Sequence, residues 1–355
     1  MTQFHLGPRP IGAGHPCFIT FEAGPTHSGL DSAIDLVNLA ADAGADAIKF
    51  QIMDPDRLVA DKAMPFSYDV LLDKATGKTE TVTEPLYDIL CRRQLGRAEW
   101  RKVKRAADAR ALAFFATALF PDEVDFLAEL GCHSIKIASG DVNHLPLIRH
   151  AARTGMCLQL DTGNANLGEI ERAVDVIREA GNDNIVIHQC PSGYPARLES
   201  INLNIIRTLK RMFPYPIAYS DHTPGWDMDV AAVAIGADMV EKTITRDRTI
   251  RSTEHIFSLE PPEMARFVRV IRDVETALGQ PRRIMHAEEL KRRRAIRRAT
   301  YLPEGAAAGA RLGDVAVDFR RPGDGIDPDE YERLVDRTIA RALTKGHRLS
   351  LADLG

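Results

Sequence analysis

The chain repeats one pattern eight times: a short, β-branched apolar run followed by a stretch with helical periodicity. The runs are Cys17–Glu22, Ala45–Gln51, Ala113–Thr117, Ser134–Ser139, Met156–Asp161, Asn184–Cys190, Pro216–Asp221 and Met239–Thr245. Near-continuous apolar strands of this kind belong to parallel sheets covered on both faces. The predicted helices are Ser32–Ala43, Ala98–Arg110, Pro121–Leu130, Leu145–Arg153, Leu167–Ala180, Ile201–Met212, Trp226–Ile235 and Pro261–Leu278. Several run into a glycine (Gly44, Gly131, Gly155, Gly181, Gly236, Gly279), the residue that most readily takes the left-handed turn closing a helix. The pattern predicts an α/β fold, a (β/α)8 TIM barrel, whose active site is built at the C-terminal ends of the strands. There the chain places Glu22, Lys49, Thr117, Lys136, Asp161, Ser192, Asp221-His222 and Glu241-Lys242.

Two segments depart from the rhythm. Ile52–Arg97 holds a predicted hairpin, with a Thr76-Gly77 turn between Val70–Asp73 and Thr79–Val82. An insertion after a barrel strand lies on the catalytic face, and this one is compatible with a lid, a specificity loop or decoration. After Gly279 the pattern changes again. Residues 1–280 read as the barrel, 281–298 as a basic linker (Lys291, Arg292, Arg293, Arg294, Arg297, Arg298), and 299–355 as a small domain of Gly, Pro and short β-like runs. The basic run is first a solvated face, with subunit anchoring or contact to an anionic substrate as alternatives. No aromatics interleave with it, so a nucleic-acid module is not expected.

The bulk numbers narrow the partners. A net charge of −4 suggests neither a polyanion nor a membrane surface. No run approaches the roughly 18 apolar residues of a membrane span. The opening Gly7-Pro8-Arg9-Pro10 holds no apolar signal core. Five cysteines are scattered without a CxxC pair, which argues against a zinc or disulfide framework and for a reducing cytoplasm. Their ordinary role is as small buried hydrophobes.

Lys49 and Lys136 sit inside otherwise apolar strands, so each must point into the barrel or its rim, where an unpaired charge is costly. Two such lysines imply a polyanionic ligand, phosphate first, with a Schiff-base lysine or a structural ion pair as alternatives. Ser139-Gly140, Thr162-Gly163 and Ser192-Gly193 follow neighbouring strands and can donate to phosphate oxygens. With no P-loop or GxGxxG sequence, the phosphate belongs to a small metabolite. His222 at a strand end is a candidate metal ligand or general base. Glu22 and His27 flank a glycine-containing turn, and a carboxylate with imidazoles on one rim could hold a divalent Lewis acid. A nucleophile elbow is missing, so acyl-enzyme hydrolysis is not favoured.

At these residues the chain resembles the sialic acid synthase family, the phosphoenolpyruvate-dependent synthases of nonulosonic acids. The matching segments are Ala41–Gln51, Lys136–Gly140, Gly181–Asp183, Ser192–Pro195, Tyr219–Thr223 and Ser258–Pro261. Arg320–Ile326 is similar to the Arg-Pro-Gly-x-Gly-Ile segment of that family's C-terminal antifreeze-like (SAF) domain, which places such a domain at 299–355. The resemblance implies condensation of phosphoenolpyruvate with an N-acylated aminohexose aldehyde, giving a nine-carbon 2-keto-3-deoxy acid. It implies Lys49, Thr117, Lys136, Ser139, Ser192 and Ser220 around phosphoenolpyruvate. Glu22, His222 and Asp247 fall at the reacting centre, and Gln51, Asp141, Tyr194 and Arg321 at the sugar. It implies a divalent ion, manganese or magnesium, on His222. It also implies a homodimer in which Arg321 reaches the partner's active site.

Several features depart from the family pattern, among them Pro25-Thr26 before His27, where an Asn often precedes the His, and Asp141 where a Glu is frequent. Thr243 stands where the family has a second metal-binding His, leaving Glu22, Glu241, His188 and His255 as possible helpers. Asp161 replaces a common Ser and would repel phosphate unless paired. Gln189 replaces a common His. A Schiff-base aldolase and a phosphoenolpyruvate-binding homologue without turnover are the alternative functions.

Overall fold

The computed structural model describes residues 4–355, in two compact units, Met1–Gly279 and Gln280–Gly355. In the first, eight parallel strands close into a barrel: Phe18–Glu22, Ala47–Gln51, Ala113–Thr117, Ser134–Ile137, Cys157–Asp161, Ile185–Gln189, Ile217–Asp221 and Met239–Thr243. Each pairs with the next, and the eighth returns to the first with Thr243 opposite Glu22. Ile48, Phe50, Ile135, Ile137, Leu158 and Leu160 join a continuous core with the surrounding helices. The lumen is polar instead. Lys136 and Glu241 stand on the fourth and eighth strands, which are not neighbours, so their 2.8 Å hydrogen bond crosses the barrel.

The predicted strands overrun the observed ones by up to two residues. Ser139 leaves the fourth strand and begins the 3-10 turn Ser139–Asp141, and Ile244 and Thr245 belong to the rim after the eighth. The helix expected over Ile201–Met212 is divided into Leu198–Ile201 and Asn204–Met212, because Asn202 takes a left-handed conformation (φ 48°) between them. The polar opening hides a short hairpin, Phe4–Leu6 with Arg9–Ile11, that buries Phe4, Leu6 and Ile11. Three-residue strands are too short for their alternation to stand out.

The insertion after the second strand forms a hairpin longer than its sequence suggested, Pro65–Asp73 against Lys78–Pro85. It is flanked by helices Pro55–Leu58 and Leu86–Cys91. Tyr68, Val70, Val82 and Ile89 give it a small core of its own. The second unit has a separate core of Leu302, Leu312, Ile326, Ile339, Leu343 and Leu349. It contains one antiparallel pair, Ala299–Tyr301 with Asp318–Arg320, and helix Pro328–Leu334. Within the stretch expected as a linker, Ala287–Ile296 is helical. No described helix is long and apolar enough to cross a membrane.

Candidate active site

The closed end of the barrel lumen is a network of buried charges. Lys136 is fully buried, donates to Glu241 Oε2 at 2.8 Å, and lies 3.1 Å from Asp161 Oδ1. Lys49 donates to Glu241 Oε1 at 2.9 Å and pairs with Glu22. Ser220 Oγ donates to the same Glu241 oxygen at 2.7 Å. Burial alone would raise the Glu241 carboxyl, but the ammonium groups of Lys136 and Lys49 outweigh it and hold Glu241 well below its ordinary range. Burial raises Glu22 against Lys49, and raises Asp161 against Lys136. Lys49 itself is held well above the usual lysine range, since Glu22 and Glu241 overcome the burial that would lower it.

Beneath Lys136 lies His188. Its Nδ1 is 3.1 Å from the ammonium and must accept, so Nε2–H donates to Gln159 Oε1 at 3.0 Å. Gln159 Nε2 then donates to Ser134 Oγ at 2.8 Å. Burial, with the Lys136 charge, pushes the His188 imidazole well down, so it is neutral with both nitrogens engaged.

At the rim, Glu22 is fixed by the Gly24 N–H, which donates to its Oε1 at 2.5 Å. A Cβ on residue 24 would stand 2.6 Å from both that oxygen and Gln51 Cγ, so only glycine lets the chain turn this tightly. His222 donates from Nδ1 to the Pro191 carbonyl at 3.3 Å, which leaves its Nε2 lone pair for a ligand. Its ring packs against Tyr194 with centroids 4.5 Å apart and the planes tilted by 49°. Burial pushes it down to about 4, so it is neutral at neutral pH.

A cavity of about 430 Å³ opens above this network. Of the residues expected from sequence, Glu22, Lys49, Gln51, Thr117, Ser139, Asp161, Tyr194, His222 and Glu241 line it. Lys136 and Ser220 lie under its floor, reaching it through Glu241. Ser192 is exposed and donates to the Gly163 carbonyl at 2.7 Å. Asp141 sits on the 3-10 turn outside the wall, its carboxyl raised by burial. Asp247 is also outside the wall. It accepts from Thr249 N at 2.8 Å and pairs with Lys74 at 2.9 Å, and these contacts hold it down at about 2. His255 is buried behind the wall with Nδ1 2.7 Å from Thr245 Oγ1, and His27 packs between Phe50 and Trp100. Arg321 is an exposed residue of the second unit. Lys242, grouped with the rim residues in the sequence, points behind the barrel, where it pairs with Asp221 and lies 3.5 Å from Asp229.

Among the described residues no three His, Cys, Asp or Glu side chains converge to hold a metal ion. Thr243 is buried at the end of the eighth strand and brings no imidazole. The donors that remain, His222 Nε2 with the Glu22 carboxylate in the same cavity, fit a hard ion that takes its other ligands from substrate or water. Among the wall residues that the sequence did not single out are Arg93 and Glu254, both on irregular segments of the rim.

The profile of the NeuB family matches residues 36–283. N,N'-diacetyllegionaminic acid synthase of Legionella pneumophila is 33% identical over 348 residues, covering 97% of this chain and 96% of the relative. Human N-acetylneuraminate-9-phosphate synthase is 31% identical, covering 93% and 90%. The crystal structure of N-acetylneuraminic acid (sialic acid) synthetase from Leptospira borgpetersenii superposes with a TM-score of 0.71 at 30% identity, covering 82% of this chain and 95% of that one.

Proposed function

From a chain that belongs to the NeuB family, we infer an enzyme that condenses phosphoenolpyruvate with the aldehyde of an N-acylated aminohexose. The observation that carries this reading is the pair of buried lysines bridged by Glu241 at the closed end of a cavity whose rim presents His222 Nε2. Phosphate and carboxylate on one small ligand answer two lysine charges. Lys49 meets that ligand directly, and Lys136 strengthens its hold from beneath, with Thr117 and Ser139 as donors on the wall. C3 of phosphoenolpyruvate forms the new bond to the aldehyde carbon, and the aldehyde oxygen takes a proton. Water adds at C2 and loses a proton, and phosphate leaves with cleavage of its bond to C2. The product is a 2-keto-3-deoxy sugar acid, a unit for surface glycan synthesis.

Glu22 and Asp161, whose carboxyls burial raises, are suited to take the proton of the attacking water and return one to the new hydroxyl. A manganese or magnesium ion held by His222, with Glu22 beside it, would polarise the aldehyde oxygen where charge develops. Tyr194 and Gln51 flank the acceptor side of the cavity. We assign the second unit as an SAF domain whose Arg321 completes the active site of a partner chain in a homodimer. A cytoplasmic setting accords with five free cysteines. The aldolase alternative needs a neutral amine, whereas Lys49 is held well above the usual range and Lys136 is enclosed by Glu241, Asp161 and His188.

The test is phosphate release from phosphoenolpyruvate, with manganese or magnesium, across a panel of N-acylated aminohexoses. Sugar-dependent release is expected. A borohydride-trapped imine, or no release with any acceptor, would overturn the reading.

A further inference from the structure

The condensation leaves one open carboxyl of the cavity without a task. Glu254 lines the wall on the side of His222. It precedes the 3-10 turn His255–Phe257, and the Phe257 ring packs against His222, with centroids 6.1 Å apart, and against Tyr194 at 6.5 Å. His255 faces away, behind the wall, with Nδ1 2.7 Å from Thr245 Oγ1. Glu254 itself takes φ 69°, a left-handed conformation that a residue of its shape adopts at a cost. Ser258 Oγ donates to its carbonyl at 2.6 Å and holds that conformation. Among the described residues no donor hydrogen-bonds the carboxyl and no cation lies within 4.0 Å of it. Its oxygens are not sealed, as those of Asp229 are, so a bound molecule can reach them. Burial pushes the group up to about 7, with Arg93 opposing.

The acceptor poses a problem that this carboxyl answers. The condensation needs an aldehyde, but a hexose with a free hydroxyl at C5 closes in water to a cyclic hemiacetal. A site that waits for the rare open chain has its apparent affinity reduced by the fraction open. In the condensation C1 of the sugar comes to His222, and Glu254 stands on that side. The oxygens exchanged in ring opening, O1 and O5, share one carbon, a spacing that the two oxygens of one carboxyl match. Resting on the condensation proposed above, we propose that Glu254 opens the cyclic acceptor within the same cavity, a ring-opening activity that precedes carbon–carbon bond formation. One carboxyl oxygen takes the proton of the anomeric hydroxyl, and the freed electron pair completes the carbonyl at C1. The C1–O5 bond breaks with its electrons moving to O5, which takes the proton from the other carboxyl oxygen. The carboxyl ends as it began, and nothing is oxidised or reduced. Glu254 is then a catalytic residue separate from Glu22 and Asp161, which serve the later steps.

Ring opening is measurable without condensation. Phospholactate, which lacks the carbon–carbon double bond, fills the phosphoenolpyruvate site of the full-length chain. Freshly dissolved single anomers of N-acylated aminohexoses are followed by proton NMR to anomeric equilibrium, which each molecule reaches only through the open chain. Wild type should speed the approach at least about tenfold over buffer for the sugar it accepts. Glu254→Gln, nearly isosteric but unable to relay the proton, should return the rate to that of buffer, and Glu254→Asp should keep part of the acceleration. Glu254→Gln should also keep the wild-type melting temperature. It should bind the alditol of that sugar, which has no ring to open, within about twofold of wild type. No acceleration by wild type with any sugar, or acceleration that survives in Glu254→Gln, would overturn the proposal. So would an alditol affinity that falls as far as the rate, since the carboxyl would then only hold the sugar. Phosphate release from phosphoenolpyruvate is read separately. Acceleration lost in Glu254→Gln without release for any sugar would uphold ring opening and sink the condensation, and release without acceleration would do the reverse.

Discussion

Glu241 binds both lysines, so the charge balance of the buried lysine network falls on the two other carboxyls that pair with them. Three carboxylates (Glu22, Asp161, Glu241) face two ammonium groups, and burial raises Glu22 and Asp161. A bound trianion raises both further, so binding takes up protons. The sign follows: affinity for phosphoenolpyruvate weakens as pH rises through the folded values of these two carboxyls. Asp161→Asn keeps a hydrogen-bond acceptor for Lys136 and removes one negative charge. It should tighten binding at high pH by roughly tenfold, a modest share of the about 4 kcal/mol between unit charges 4 Å apart at an effective dielectric of 20. Calorimetry in buffers of different ionisation heat would read the proton uptake, and pH-independent affinity in wild type would refute it. The sequence exposed Lys49, Lys136 and Glu22 because a charge inside an apolar strand is conspicuous. It also raised the condition that Asp161 must be paired, which Lys136 meets. Lys242 looked equally conspicuous, yet strand alternation forces it to the side opposite Glu241, and there it is structural. Arg93 and Glu254 sit on irregular backbone, where no period marks the facing direction.

The hairpin Pro65–Pro85 is the element that closes one side of the cavity, since Phe66, Tyr68 and Asp69 line it. Its turn is marked in sequence by Gly77, which takes φ 69°. Its reach was underestimated, because its strands are mostly polar and exposed. What the sequence could not show is where the tip docks. Lys74 lies 2.9 Å from Asp247 and 2.5 Å from Glu260, on the segment after the eighth strand. These pairs are exposed enough that they add little to global stability. Their effect is local: they hold the tip across the mouth. Lys74→Ala should leave the melting temperature nearly unchanged and speed amide exchange in Lys78–Pro85. It should also raise the acceptor KM a few-fold without moving that for phosphoenolpyruvate. Unchanged exchange in the hairpin would show that the ion pairs do not latch it.

At the scale of the whole molecule, the eightfold repeat made the barrel legible, because every unit restates the same burial requirement. The tail carried no such period. Its short strands and six-residue core are assembled by contacts distant in sequence, and its reading rested on the Arg320–Ile326 resemblance. The proposed exchange of Arg321 between chains has a distinctive consequence. Lys136→Met removes a charge beneath the barrel site, and Arg321→Ala removes the incoming guanidinium, so each variant alone should lose most activity. In a swapped dimer, the intact tail of the Lys136→Met chain serves the intact barrel of the Arg321→Ala chain. Each mixed dimer then holds one complete site of two. Random pairing makes half of the dimers mixed, so co-expression should restore roughly a quarter of wild-type activity. If each tail serves its own barrel, no complete site forms and the mixture stays at the level of the separate variants. A monomer in solution would give the same null result. Sedimentation of the co-expressed sample therefore belongs in the measurement, because only a dimer without recovery separates a tail acting in cis from the absence of assembly.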